Sequence, residues 1–108
     1  MYKLVLVDFP FTEKARIKSR PSLLLTDGSY GKHKIVLVAY VTSQGVEDLI
    51  SEVRISKSFQ NGLIKDSVVK LHKIVNIPVS MIRGELGRLS KVETLEVKEK
   101  LKKLLGLL

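Results

Sequence analysis

The sequence predicts a mainly β chain ending in one α-helix, and three observations carry that prediction. Residues 35–41 (IVLVAYV) are seven uninterrupted apolar residues, all β-branched or aromatic except Leu37 and Ala39. A buried helix competes for such a run, but its shortness and β-branching favour a strand buried on both faces. The other apolar stretches before residue 90 are also short and are punctuated by turn residues at 27–31 (DGSYG), Gln44-Gly45 and Asn61-Gly62. Only residues 90–108 carry a helical period. Five to six short strands in about 90 residues close into a small barrel or sandwich.

Taken in order, residues 4–9 (LVLVDF) form the first strand, which Pro10 is expected to end because it cannot donate to a central ladder. Residues 11–20 turn polar and basic, with Lys14, Arg16, Lys18 and Arg20 against the single acid Glu13. They read as a loop or an extended ribbon: either a solvated connection or a basic flap over a phosphate backbone. Pro21 holds Arg20 in extended backbone, so its side chain leaves the rim in a fixed direction. Residues 23–26 are the second strand, and with 34–43 they form a hairpin across the 27–31 turn. The buried run stops at Thr42-Ser43, which delivers two hydroxyls to the rim of the core.

Residues 48–50 read as a turn or edge piece, and Glu52-Val53-Arg54-Ile55 alternates like a half-exposed strand. Residues 67–75 (SVVKLHKIV) form a strand with a polar middle of Lys70, His72 and Lys73. One helical turn is expected at 78–82 and a last strand at 85–89. Ser90 and Glu93 have the spacing of a capping box. Val97, Leu101, Leu104, Leu105 and Leu108 then share one helix face, and Gly106 is a C-terminal stop. Val92 and Leu95 point away from that face, a hint of contact with a second subunit.

At 108 residues the chain is expected to be one domain, 1–108, with no repeat, low-complexity tract or linker. It has no cysteine, so a disulfide framework, a thiolate nucleophile and a cysteine metal site are excluded. Asp8 and Pro10 interrupt the first apolar run too early for a secretory signal, and no stretch is long enough to span a membrane. A soluble cytoplasmic protein without membrane contact is expected. The net charge of +8 makes either a polyanionic partner or a lysine-rich solvated surface. No zinc pattern, P-loop or GxSxG is present, so metal or covalent chemistry has no motif here. A cation beside a hydroxyl does.

In chain order, VLVDFPFT (5–12), SRPSLLL (19–25), AYVTS (39–43), GLIKDSVVKL (62–71), GRLS (87–90) and the helix end KKLLGL (102–107) resemble the MazF/PemK toxins of type II toxin–antitoxin systems. The likeness runs through nearly the whole chain. It implies an SH3-like β-barrel with a C-terminal helix, assembled as a two-fold homodimer. It further implies a cofactor-free, metal-independent endoribonuclease that cuts single-stranded RNA or mRNA. Cleavage in that family proceeds through the neighbouring 2′-hydroxyl and leaves a 2′,3′-cyclic phosphate. A cognate antitoxin is the implied protein partner.

The resemblance also assigns roles to residues. Arg20 matches the family's Arg-Pro arginine, whose guanidinium holds two phosphate oxygens and stabilises developing charge. Thr42 matches the threonine at the end of the buried strand, a donor to a phosphoryl oxygen; Ser43 follows with the opposite side-chain direction. Lys14, Arg16, Lys18, Ser43 and Lys70 are the expected RNA contacts. His72 stands where many relatives carry an acid, and it is either a replacement acid/base group or a solvent-facing strand residue. His33, between two lysines, reads as surface. Tyr2-Lys3 replaces the family's Gly-Asp, and the 13–18 loop lacks the usual glycines. Two alternatives stay open: a barrel that binds RNA or antitoxin without cutting, and a gyrase poison of the CcdB kind.

Overall fold

The computed structural model describes residues 2–11, 16–43, 45 and 48–107. Six antiparallel strands form one sheet: β1 (Lys3–Phe11), β2 (Arg16–Leu24), β3 (Ile35–Thr42), β4 (Glu52–Ile55), β5 (Ser67–Pro78) and β6 (Ile82–Arg88). A 3₁₀ turn at Val79–Met81 links β5 to β6, and the helix α1 spans Lys91–Leu105. The spatial order is β4-β5-β3-β2-β1-β6.

That order has two ends, so the expected barrel is not closed by strand pairing. The chain uses the segment after β4 to span the gap instead. Arg88 N–H donates to the Gln60 carbonyl at 3.0 Å, tying β6 to that segment. Buried Asn61 shapes it: its Oδ1 accepts from Ser58 N and Leu63 N, and its Nδ2 donates to Ser56 O at 2.8 Å. The approach is close enough to demand glycine on both sides. A Cβ on Gly62, which has φ +72°, would lie 2.1 Å from Leu86 O; one on Gly87 would lie 2.2 Å from Gln60 O.

β3 is buried on both faces, as its composition requires. Ala39 and Val41 enter a core with Leu4, Leu23, Val53, Ile55, Val69, Leu71 and Leu89, where α1 adds Val97. Val36 and Val38 enter a separate cluster with Val5, Val7 and Ile77. Alternate residues of β1 divide the same way, Leu4 to one cluster and Val5 to the other. Tyr2 packs against the first core, where burial and, secondarily, the Asp27 carboxylate hold its phenol above the usual tyrosine range.

Several strand limits differ from expectation for one reason, the local number of neighbours. β1 continues through Pro10, opposite Ile17. Its pairing with β6 ends at Val7↔Ile82, so Pro10 lies where β1 has a single partner and a missing donor is tolerated. β2 likewise begins at Arg16 rather than residue 23, making the basic stretch a ribbon; its pairing with β3 starts only at Ser22, past Pro21. β5 runs on to Pro78 and β6 starts at Ile82, longer than expected.

The helix has the expected ends. Ser90 and Glu93 form both bonds of the capping box, and Gly106 adopts φ 70°. Its apolar face is only partly covered: Val97 is buried and Leu101 half-buried, but Leu104 and Leu105 are 38% and 59% exposed. α1 packs on β4 and β5. Leu108 lies outside the described residues.

Candidate functional site

On the face of the sheet away from α1, residues two apart along β3 change character. Val36 and Val38 are apolar and buried, whereas Tyr40 is exposed and Thr42 half-buried. Strand register extends that change sideways. Directly opposed residues share a face, so Tyr40 has Ser22 on one side and Lys70 on the other, with Glu52 beyond Lys70. One step along the strands, Thr42 is opposite Val68, which is opposite Arg54. The β2–β3 ladder ends at Ser22↔Tyr40, so Arg20, two residues before Ser22, and Thr42, two residues after Tyr40, lie past the same end of it. A row of four results, Glu52–Lys70–Tyr40–Ser22, and beside it a row of three, Arg54–Val68–Thr42.

The first row is anchored by a buried ion pair. Lys70 Nζ lies 2.7 Å from Glu52 Oε2, with side-chain exposures of 11% and 0%. The other carboxylate oxygen, Oε1, accepts from Asp48 N at 2.8 Å, and the Glu52 carbonyl accepts from Lys100 Nζ at 2.7 Å. Lys100 also pairs with Glu96 at 3.1 Å. Glu52 thus joins the start of β4, the preceding turn, β5 and α1. This corrects the half-exposed reading of β4: Arg54 is exposed, but Glu52 is fully buried because it faces Lys70 rather than water.

A second polar cluster braces the β1–β2 ribbon that carries Arg20. Ser19 Oγ donates to Asp8 Oδ1 across the strand pair. Arg83 Nη1 on β6 lies 3.4 Å from Ser19 Oγ and 3.7 Å from Asp8 Oδ1. Three strands are joined next to Arg20, on the sheet face opposite to it.

Of the residues singled out in the sequence, Arg20 and Thr42 lie past the same end of the β2–β3 ladder, and Lys70 is opposite Tyr40, two residues before Thr42. Arg20 is exposed and Ser43 follows Thr42 at the exposed strand end. Lys70 is buried against Glu52. His72 and Lys73 are exposed where β5 bulges: Ala39 pairs with Ile74 and Tyr40 with Lys70, leaving 71–73 without partners on β3. His33 is exposed in the turn before β3. Lys18 is exposed on β2, Arg16 begins that strand, and Lys14 lies outside the described residues. Among the described residues no group of three or more His, Asp or Glu side chains is placed to hold a metal ion. Sequence reasoning missed Glu52 and Arg54 as site residues; their only signal was the polar-apolar alternation of β4.

Comparison with known proteins gives the family and the fold. The family model described as "PemK-like, MazF-like toxin of type II toxin-antitoxin system" matches residues 2–105. Among solved structures, the Mycobacterium tuberculosis toxin MazF-mt6 superposes with a TM-score of 0.73 at 25% identity, over 97% of each chain. A structure of an endoribonuclease in complex with its cognate antitoxin, from mycobacterial species, shares the fold at TM-score 0.73 and 15% identity, over 98% of this chain and 93% of that one. An Mtb toxin structure aligns at TM-score 0.70 and 24% identity, covering 94% and 98%. No curated protein matches the chain in sequence. With its fold, strand-end hydroxyl and Arg-Pro ribbon in place and its sequence matched almost end to end, the chain belongs to the PemK-like, MazF-like toxin family of type II toxin–antitoxin systems.

Proposed function

We propose that this protein, as a single toxin domain over 1–108, is an endoribonuclease that cuts single-stranded RNA, mRNA included, in the cytoplasm without a metal ion. The observation that supports this reading is that Arg20 and Thr42 lie past the same end of the β2–β3 ladder, two residues before Ser22 and two after Tyr40. Transesterification requires stabilisation of the charge that grows on the phosphoryl oxygens. A guanidinium supplies two parallel donors to that group and a threonine hydroxyl a third. The RNA 2′-oxygen attacks phosphorus and the 5′-oxygen leaves, giving a 2′,3′-cyclic phosphate and a 5′-hydroxyl end. His72, exposed on the β5 bulge, is the candidate to move a proton, because an imidazole nitrogen can both accept and donate one. Lys18 and the rest of the β1–β2 ribbon supply sequence-independent contacts to the strand. A two-fold homodimer and capture by a cognate antitoxin complete the proposal.

A second reading, RNA or antitoxin binding without cleavage, is favoured by one observation: Glu52, the acid that meets Lys70, is buried and ion-paired rather than presented to substrate. One experiment separates the two. Purified protein is incubated with a defined long RNA in EDTA and the new ends are mapped. Cleavage predicts discrete cuts bearing cyclic phosphate and 5′-hydroxyl ends. Arg20→Ala is expected to slow them at least ~100-fold, the scale of losing a transition-state donor. RNA that is bound but stays intact selects the second reading, and a near wild-type rate for Arg20→Ala removes Arg20 from the chemistry.

A further inference from the structure

Arg54 is a second arginine on the polar face, and the cleavage chemistry above makes no use of it. It is exposed on β4 between buried Val53 and Ile55, and among the described residues it has no ion-pair partner. Its row neighbours are Val68 and then Thr42. At about 4.8 Å per strand, Arg54 stands roughly 10 Å from Thr42. Arg20 is on β2, the strand on the other side of β3, beyond the end of its ladder with β3. Arg54 also lines an open cavity of about 410 Å³ together with Ser43, Ser56, Ser67 and Asp66. Ser43 and Ser56 are exposed, and Lys57 and Lys65 flank the lining in sequence. Asp66, the one acid lining the cavity among the described residues, accepts from Lys57 N–H at Oδ1 at 2.9 Å.

We infer that this cavity is a phosphate subsite, which holds a backbone phosphate of the RNA strand on the side of Thr42 away from Arg20. The inference rests on the ribonuclease reading and assigns the direction of the strand, across the β-strands from the β2 side past Thr42 to Arg54. The lining chemistry selects phosphate over base. A splayed-out base needs an aromatic face to stack on, and among the described residues none that lines the cavity is aromatic. A phosphate needs charge and hydroxyl donors, which Arg54 and the exposed Ser43 and Ser56 supply, whereas the Ser67 hydroxyl donates to the Lys65 carbonyl at 2.9 Å.

The test uses an RNA oligonucleotide spanning a cut site mapped on the wild-type protein, with a 2′-deoxy sugar at the attacking position so that binding is read without cleavage. Affinity is measured by fluorescence anisotropy over a salt series. Arg54→Ala is expected to weaken binding roughly tenfold, the scale of one charge-assisted contact. It should also flatten the slope of log K against log salt by about 0.7, the single-strand value for one lost phosphate contact. Arg54→Lys should restore the slope and only part of the affinity, because a point charge replaces a fork. Wild-type slope and affinity in Arg54→Ala would overturn the subsite alone, provided the wild type cuts RNA. A loss confined to one identity of the flanking base would overturn phosphate in favour of base reading. Failure of the wild type to bind or cut any RNA would remove the ribonuclease reading and the subsite together.

Discussion

At the Lys70–Glu52 pair, two opposite charges sit 2.7 Å apart with almost no access to water. Removing one partner strands the other as an uncompensated buried charge, which costs about 3–5 kcal/mol. Lys70→Met and Glu52→Leu are each expected to lose stability on that scale in urea titrations, and the double variant to recover most of it. Single variants as stable as the wild type would show that the pair is open to solvent. Lys70 stood out in the sequence as a cation in a strand, but the acid it meets lies 18 positions earlier, and only strand register joins them. The extended backbone at Arg20 and the strand end at Thr42 were legible because proline restricts the residue before it and the apolar run visibly stops. Arg54 was not, since alternation along β4 tells which residues share a face and not what that face adjoins.

Among the elements, the segment after β4 is the piece whose seating decides whether the sheet ends are held together. Gly87→Ala drives a methyl into the Gln60 carbonyl and is expected to cost about 1–3 kcal/mol by overpacking. Gly62→Ala meets Leu86 O and must also hold a left-handed φ, so it should cost at least as much. Gly84→Ala, with open space around it, is the control and should melt like the wild type. A Gly87→Ala melting curve equal to that control would unseat the segment from β6. Asn61-Gly62 was readable as a turn from dipeptide chemistry. That Gly87, inside a strand, packs against that same turn was not, because strand glycines carry no sign of what approaches them. The helix was legible at both ends because caps are local; how far its apolar face is covered was not, since coverage depends on where β4 and β5 end.

For the whole molecule, the +8 charge and the polar half of one sheet face both suit a polyanion, and the family match makes RNA the polyanion proposed. The proposed two-fold assembly predicts a solution mass of about twice 12.1 kDa by light scattering. Val92 and Leu95, 75% and 55% exposed on α1, are apolar side chains that this chain leaves uncovered. A single 12.1 kDa species at micromolar concentration would remove the homodimer.

By itself the sequence determined what depends on near neighbours in the chain: which stretches are strands, where the helix is capped, which residues alternate, and the mainly β class with one helix. The Arg-Pro ribbon and the Thr42 strand end were legible for the same reason, and so was the family they resemble. Tertiary structure alone decided what depends on pairing between distant segments. It left the sheet with two ends bridged by a segment rather than a closed barrel. It buried Glu52 against Lys70, bulged β5 so that His72 faces solvent, and set Arg54 in line with Thr42. Register is the physical reason: it is fixed by how both faces of β3 pack, and a slip of one residue would move every one of these side chains to the other face.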